Sequence, residues 1–113
     1  IASSILGHYG GNGVDIYSCS KGGLSILIKN LAFELAQDKI RINAISPGHV
    51  RTPLIRDLIN DEKSLNEVVK LYPLGRIGEP EDITPFIIFL LSSYASWITG
   101  CDYIIDGGRS TTI

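Results

Sequence analysis

Cysteine is scarce in this sequence, and its spacing predicts neither a cross-link nor a metal site. The two cysteines, Cys19 and Cys101, form no CxxC pair and lie in no cysteine–histidine cluster with the spacing of metal ligands. Two cysteines are also too few for the disulfide framework of a small secreted domain. We therefore expect no bound metal and a reducing compartment, with the cytoplasm as the simplest location.

Charge of one sign and long apolar runs are missing as well. Ten Lys and Arg residues against 12 Asp and Glu residues give a net charge of −2, which offers no attraction for nucleic acid or an anionic membrane. The most apolar segment, ITPFIIFLL at 83–91, is far shorter than the roughly 20 residues of a membrane-crossing helix. We expect a buried helix there, and neither nucleic acid nor a membrane as a partner.

The remaining composition is that of an ordinary globular chain. Its 113 residues are enough for one small domain, and 44% apolar with 19% charged residues is typical of such domains. The sequence begins at Ile1 rather than at methionine, within an apolar segment that turns into small residues. We therefore expect the chain to be a piece of a longer protein.

The hydrophobic pattern predicts strands that alternate with helices. IASSILGHYGGNG has the pattern of a strand end that runs into a glycine-rich loop, and KIRINAIS has that of a strand stopped by Pro47 and Gly48. Between them a helix is predicted from about Val14 to Asp38, with Asp15 as its N-cap or as a first-turn anion. The helix prediction rests on apolar residues that recur at helical spacing, at positions 24, 27, 28, 31 and 35.

The apolar segment in the second half predicts a helix whose start is ambiguous. Pro80 can be its first residue, which places Pro85 inside the helix and removes one backbone hydrogen bond. Thr84 can instead be the N-cap with Pro85 as the first residue, which gives a shorter helix. In both cases the helix ends near Ser92 or Ser93, and DYIIDGG then predicts a short strand closed by a glycine turn.

The order of these elements predicts the fold class. A charged segment at 49–78 adds one or two short amphipathic helices, so the order is strand, helix, strand, helices, strand. That order predicts an α/β fold with a parallel sheet and crossover helices. Three strands alone would leave one edge of the sheet bare, which indicates that more of the sheet lies elsewhere.

Tyr17 and Lys21 form a candidate acid–base pair at the start of the first helix. Residues four apart on a helix share a face, so the phenol and the ammonium group are expected to lie together. A free phenol is a poor acid or base at neutral pH, but a neighbouring ammonium stabilises the phenolate and assists proton transfer. An ordinary exposed pair is the alternative, because this spacing is common by chance. Ser4 at the preceding corner and the Pro47–Gly48 strand end, where α/β sheets bind ligands, favour a site.

Several motifs in order carry a family resemblance. The residues SS…YSCSKGG…RINAISPGHVRTP…GEPEDI…ITGCDYIIDGG resemble the C-terminal half of the classical short-chain dehydrogenase/reductase family over almost the whole chain. Tyr17 and Lys21 match the family's YxxxK motif, and Ser4, 13 residues before Tyr17, lies at the spacing of its catalytic serine. NAISPGHVRT matches the segment that flanks the nicotinamide in this family, and DGG matches its usual ending.

This resemblance implies a fold and an activity. The fold is a Rossmann-type doubly wound parallel sheet with helices on both faces, of which residues 1–113 form the C-terminal part. The activity is the interconversion of a secondary alcohol and a ketone with NAD or NADP. Tyr17 would exchange a proton with the substrate oxygen, Lys21 would assist it and bind the nicotinamide ribose, and Ser4 would polarise the carbonyl. The residues implied to contact the cofactor are Tyr17, Lys21, Pro47, Gly48, Val50 and Thr52.

The resemblance leaves cofactor choice, substrate and assembly open. The glycine-rich dinucleotide loop, the residue that selects NAD or NADP and the catalytic asparagine would all precede Ile1, so the isolated chain is expected to be inactive. The substrate could be an acyl-carrier-bound 3-oxoester, a sugar, a steroid or a small ketone. The family commonly forms homo-oligomers, either dimers or tetramers. A non-catalytic remnant kept for subunit association is therefore the rival interpretation.

Three further residues and one motif receive weaker interpretations. The stretch from Ser18 to Lys21 matches the SxxK nucleophile motif of penicillin-binding enzymes, but neither SDN nor KTG follows it. We therefore expect Cys19 and its neighbours to be small helix residues. We expect His8 to be a solvated loop residue, and we assign no catalytic role to His49.

Overall fold

The computed structural model describes residues 1–112 and contains three α-helices and two β-strands. In chain order these are α1 (Asp15–Leu35), β1 (Ala44–Pro47), α2 (Glu62–Val69), α3 (Pro80–Leu91) and β2 (Asp102–Ile105). Short 3-10 helices occupy Ile5–Gly7, Ala36–Asp38, Pro53–Ile59, Ser93–Ala95 and Arg109–Thr112. None of the helices among residues 1–112 is both long and apolar enough to cross a membrane.

The strands run parallel, as the element order predicts. In β1 and β2, Ala44 pairs with Asp102 and Pro47 with Ile105. Ala2 adds one parallel bridge to β1 at Ile45. The expected first strand is therefore reduced to a single bridge among the described residues, and a 3-10 helix follows it directly. Three segments nevertheless point the same way, so their carboxyl ends lie along one edge of the sheet.

Helix α1 confirms the predicted periodicity. Val14 is the residue before the helix, so Asp15 is a first-turn anion and not the N-cap. The helix buries Ile28 and Ala32, which lie four positions apart on one face. Its last predicted turn is a 3-10 helix, after which Lys39 adopts a left-handed conformation with φ of 58° and ends the helix.

Strand β1 is shorter than the pattern KIRINAIS predicts. The backbone N–H of Ile42 donates to the Thr99 hydroxyl at 3.1 Å instead of to a strand. The Asn43 side chain donates to the Ile98 carbonyl and accepts from the Cys101 N–H, at 2.9 and 3.1 Å. Because side chains satisfy the backbone here, regular pairing begins only at Ala44.

Helix α3 begins at Pro80, which decides between the two predicted starts. The Asp82 carboxylate accepts from the N–H of Glu79, the residue before the helix, at 2.7 Å. Pro85 therefore lies inside the helix, where the Thr84 hydroxyl donates to the Pro80 carbonyl at 2.9 Å. The helix ends at Leu91, as predicted. Only Ile83 and Leu90 of it are buried, so the expected buried helix is buried along one face only.

Candidate active site

Three of the predicted site residues, Ser4, Pro47 and Gly48, lie at the carboxyl edge of the sheet. Ser4 follows the segment that bridges to β1, and the Ser3 N–H donates to the Ile45 carbonyl at 2.7 Å. Pro47 ends β1 at the same edge, and Gly48 follows it. Ligands of open α/β sheets bind in crevices outside the carboxyl ends of the strands. The fold thus places Ser4 and the Pro47–Gly48 corner where such a crevice forms.

Ser3 and Ser4 make different contacts although they are neighbours. The Ser4 oxygen accepts from the Leu6 N–H at 3.2 Å and caps the first 3-10 helix. That bond uses the oxygen as an acceptor, which leaves the hydroxyl hydrogen for donation to a ligand. The Ser3 hydroxyl instead donates to the Lys21 carbonyl at 3.0 Å. Ser3 therefore holds the segment against α1, while Ser4, which is only 9% exposed, uses its oxygen as an acceptor and retains its hydroxyl hydrogen.

Tyr17 and Lys21 lie together, as their spacing predicts. The Lys21 ammonium is 5.7 Å from the centroid of the Tyr17 ring. It donates to the Ala2 carbonyl at 3.0 Å, and an ammonium has three donors. Two N–H groups remain for a ligand. Tyr17 is 38% exposed, so part of its side chain is accessible to a ligand.

Glycines bring the 3-10 helix into direct backbone contact with α1. A Cβ atom added to Gly7 would lie 2.8 Å from the Lys21 carbonyl carbon and 2.9 Å from the Gly22 nitrogen. A Cβ added to Gly22 would lie 3.1 Å from the Gly7 oxygen. Only glycine permits this approach. The contact sets the position of the Ser4 segment relative to Lys21.

Contacts with Ile105, Tyr72 and Gly78 hold the segment that follows β1. The Gly48 N–H donates to the Ile105 carbonyl at 3.1 Å, and a Cβ at Gly48 would lie 3.0 Å from the Tyr72 side chain. Val50 forms a parallel bridge to Gly78. Thr52 is exposed, and its hydroxyl does not cap the 3-10 helix that follows. The backbone from Pro47 to Val50 and the exposed Thr52 therefore form a wall at the carboxyl end of β1.

Sequence reasoning missed the pair of His49 and Tyr72 in this wall. The Tyr72 hydroxyl oxygen accepts from the His49 backbone N–H at 2.7 Å and lies 2.6 Å from the Nδ1 atom of His49. Burial, with a contribution from the Arg109 guanidinium, lowers the pKa of His49, and burial raises the pKa of Tyr72. The neutral imidazole therefore accepts a hydrogen bond at Nδ1 from the Tyr72 hydroxyl, which keeps its proton. Nothing in the sequence signals a pair 23 residues apart.

His8 is an exposed turn residue, as the sequence predicts, but its ring also contacts a carboxylate and a hydroxyl group. Its side chain is 26% exposed, and its Nε2 atom lies 3.0 Å from the Asp102 carboxylate and 3.1 Å from the Ser46 hydroxyl. The Ser46 hydroxyl also donates to Asp102, at 2.7 Å, as does the Ser25 hydroxyl of α1. We call these four residues the Asp102 cluster. Asp102 supplies its only carboxylate.

Comparison with characterised proteins matches almost the whole chain. The profile of a family described as "Enoyl-(Acyl carrier protein) reductase" matches residues 1–110. Cyclohexanol dehydrogenase of Acinetobacter sp. (strain SE19) is 42% identical over 96% of this chain and 41% of its own length. Carbonyl reductase family member 4 of Xenopus laevis is 47% identical over 93% of this chain and 42% of its own length. The chain thus spans about two fifths of the length of these relatives.

Solved structures share the fold. A 4-hydroxyisoleucine dehydrogenase complexed with NADH superposes with a TM-score of 0.92 at 33% identity, over 97% of this chain and 45% of that structure. A putative 2-deoxy-D-gluconate 3-dehydrogenase from Agrobacterium tumefaciens with bound NADP gives a TM-score of 0.90 at 34% identity, over 97% and 45%. Sequence profile, relatives and fold agree, and the chain belongs to the short-chain dehydrogenase/reductase family.

Proposed function

We propose that the protein is an NAD- or NADP-dependent oxidoreductase that interconverts a secondary alcohol and a ketone, with Ser4, Tyr17 and Lys21 as its catalytic group. The observation that carries this proposal is the Lys21 ammonium, which lies 5.7 Å from the Tyr17 ring centroid and donates to the carbonyl of Ala2, the residue that bridges to β1. The names of the relatives, which include a cyclohexanol dehydrogenase and a carbonyl reductase, support a small alcohol or ketone as substrate.

The three side chains divide the proton chemistry among them. In the reducing direction the Tyr17 hydroxyl gives its proton to the carbonyl oxygen, and the Lys21 ammonium stabilises the phenolate that remains. The Ser4 hydroxyl hydrogen bonds to the same oxygen and polarises the carbonyl. When bound, the nicotinamide supplies the hydride in this direction and accepts it in reverse. In the oxidising direction Tyr17 takes the proton back from the alcohol.

The residues of the site fit a nicotinamide cofactor. Lys21 has two N–H groups left after its bond to Ala2, and these suit the hydroxyl groups of a ribose. Pro47, Gly48 and Val50 offer a wall with little side-chain bulk for a planar ring. The exposed Thr52 hydroxyl suits a carboxamide or a phosphate. Solved relatives with NADH and with NADP support either cofactor.

The proposal extends to the rest of the domain and to its assembly. Residues 1–113 would form the C-terminal part of one Rossmann-type domain, whose other part binds the adenine half of the cofactor. Helix α1 exposes apolar side chains, since Ile16 and Phe33 are each 87% exposed. Apolar side chains in such positions favour a covering surface. They support a homo-oligomer, a dimer or a tetramer.

Replacement of the proposed acid tests the function. The full-length protein with reduced nicotinamide and a panel of ketones should show loss of absorbance as the cofactor is oxidised. Tyr17→Phe should lower kcat at least about 100-fold, because it removes the proton donor. Tyr94→Phe is the matched control, since Tyr94 is 89% exposed and lies outside the site. Ketone reduction that survives Tyr17→Phe would exclude this mechanism.

A further inference from the structure

The Asp102 cluster ties together the two segments that carry the proposed catalytic residues. His8 follows the 3-10 helix that Ser4 caps, and Ser25 lies on α1. Ser46 and Asp102 come from the paired strands β1 and β2. Four separate elements therefore meet at one carboxylate, whose side chain is only 7% exposed.

The cluster continues the stripe of α1 that bears the proposed acid–base pair. Tyr17, Lys21 and Ser25 are successive members of one helix face, each one turn apart. A bond from Ser25 to Asp102 thus anchors the turn next to Lys21. At the other side, His8 is one residue beyond Gly7, whose backbone touches Lys21. Asp102 therefore binds next to both sides of the contact between Gly7 and Lys21, at His8 on one side and at Ser25 on the other.

The Asp102 carboxylate accepts hydrogen bonds from three donors. A carboxylate only accepts, so His8 Nε2 carries a hydrogen where it meets Asp102. The Ser46 hydroxyl donates its own hydrogen to Asp102, so it accepts from His8. Three donors on one buried carboxylate balance the desolvation of its charge.

The geometry rules out nucleophilic catalysis by these residues. In a catalytic triad the two ring nitrogens of histidine contact the serine and the carboxylate separately. Here one atom, His8 Nε2, contacts both Ser46 and Asp102. The imidazole therefore cannot pass a proton from the hydroxyl to the carboxylate. Ser46 is also fully buried, so no substrate reaches it.

We propose that Asp102 is a positioning residue for the reaction proposed above: through His8 and Ser25 it holds the Ser4 segment and the Lys21 turn in register. The inference rests on the proposed function. Asp102→Asn keeps the size of the side chain but places an NH₂ group where three donors converge. At least one donor loses its acceptor, and the segment from Ser4 to His8 loses its anchor. The reacting groups stay in the protein but shift relative to each other.

Steady-state kinetics on the full-length protein test this role. Asp102→Asn and His8→Ala should each lower kcat about 10-fold through misplacement of the reacting groups. The KM values for ketone and cofactor should change less than about threefold, because the binding groups themselves remain. The double variant should be no slower than the slower single variant, since both changes break one network. His8→Gln should recover most of the rate, because its amide N–H can donate in place of Nε2.

Hydrogen exchange provides a readout that does not depend on turnover. Backbone amides at 4–13 should exchange faster in Asp102→Asn than in the parent, because that segment loses its tie to β2. Asp38→Asn is the control, since Asp38 lies past the far end of α1. It should change neither kcat nor exchange at 4–13.

The outcomes separate this inference from the proposed function. Lower thermal stability with unchanged kcat, multiplied losses in the double variant, or unchanged exchange at 4–13 would each overturn the positioning role. Parent activity that persists in Tyr17→Phe would instead count against the proposed function. The kcat loss in Asp102→Asn, rescue by His8→Gln and faster exchange together support the inference.

Discussion

Gly7→Ala tests the backbone contact between the 3-10 helix and α1. The added methyl group would lie 2.8 Å from the Lys21 carbonyl carbon, 2.9 Å from the Gly22 nitrogen and 3.0 Å from the Lys21 oxygen. Carbon atoms prefer separations of about 3.5–4.0 Å, so the two segments must move apart by roughly 0.7 Å. All three neighbours are backbone atoms of a helix, and none can rotate aside.

The displacement should affect both stability and catalysis. Overpacking of this kind costs about 1–3 kcal/mol, so the free energy of unfolding should fall by that amount. The same movement stretches the bonds from Ser3 to the Lys21 carbonyl and from Lys21 to Ala2. The segment that contains Ser4 then moves away from Lys21. A displacement near 1 Å can cost about 100-fold in rate, so we expect kcat to fall by 10-fold or more.

Urea denaturation and initial rates of the full-length protein measure the two effects. Gly10→Ala is the matched control, because no atom lies within 4 Å of a Cβ built there. It should change the free energy of unfolding by less than about 1 kcal/mol. Equal stability of Gly7→Ala and Gly10→Ala would refute the tight contact. A destabilised Gly7→Ala with the parent's kcat would refute the link between this contact and the proposed catalytic group.

Two further predictions concern the wall behind Gly48. Tyr72→Phe should lower the free energy of unfolding by about 1–3 kcal/mol, because the His49 N–H loses its acceptor. Urea denaturation measures this change. If Tyr72→Phe were as stable as Tyr94→Phe, the hydrogen bond would be contradicted. The pKa of His49 is lower in the folded chain than the ordinary histidine value of 6.5. As the pH falls below 6.5, His49 therefore binds a proton in the unfolded chain first. The free energy of unfolding should therefore decrease as pH falls below 6.5, and His49→Gln should flatten that decrease, which denaturation across this pH range tests.

Local patterns in the sequence predict the regular elements well. The apolar period of α1 and the final strand at Asp102–Ile105 appear as expected, because helical spacing and a glycine turn are local signals. The start of β1 is mispredicted because the side chains of Asn43 and Thr99 replace strand bonds there. The position of Pro85 could not be decided from propensity alone, since the choice depends on the Asp82 bond to Glu79.

Local patterns in the sequence likewise predict only part of the candidate site. The proximity of Tyr17 and Lys21 follows from a spacing of four residues on a helix. The contact of Gly7 with Gly22 has no comparable signal, because glycine in a loop usually indicates only a turn. The bond between His8 and Asp102 joins residues 94 apart and depends on how the strands are arranged. Such contacts arise from tertiary structure, which neither period nor propensity encodes.

The sequence separation of that last bond has a consequence for biosynthesis. Chains leave the ribosome from the N-terminus, so His8 emerges long before β2 is made. Helix α1 can form from local contacts, whereas the turn after Ser4 reaches its final anchor only when Asp102 arrives. The segment that carries the proposed substrate-polarising hydroxyl of Ser4 therefore reaches its final position late. A chain that stalls before β2 would contain Tyr17 and Lys21, but its Ser4 segment would not yet be anchored.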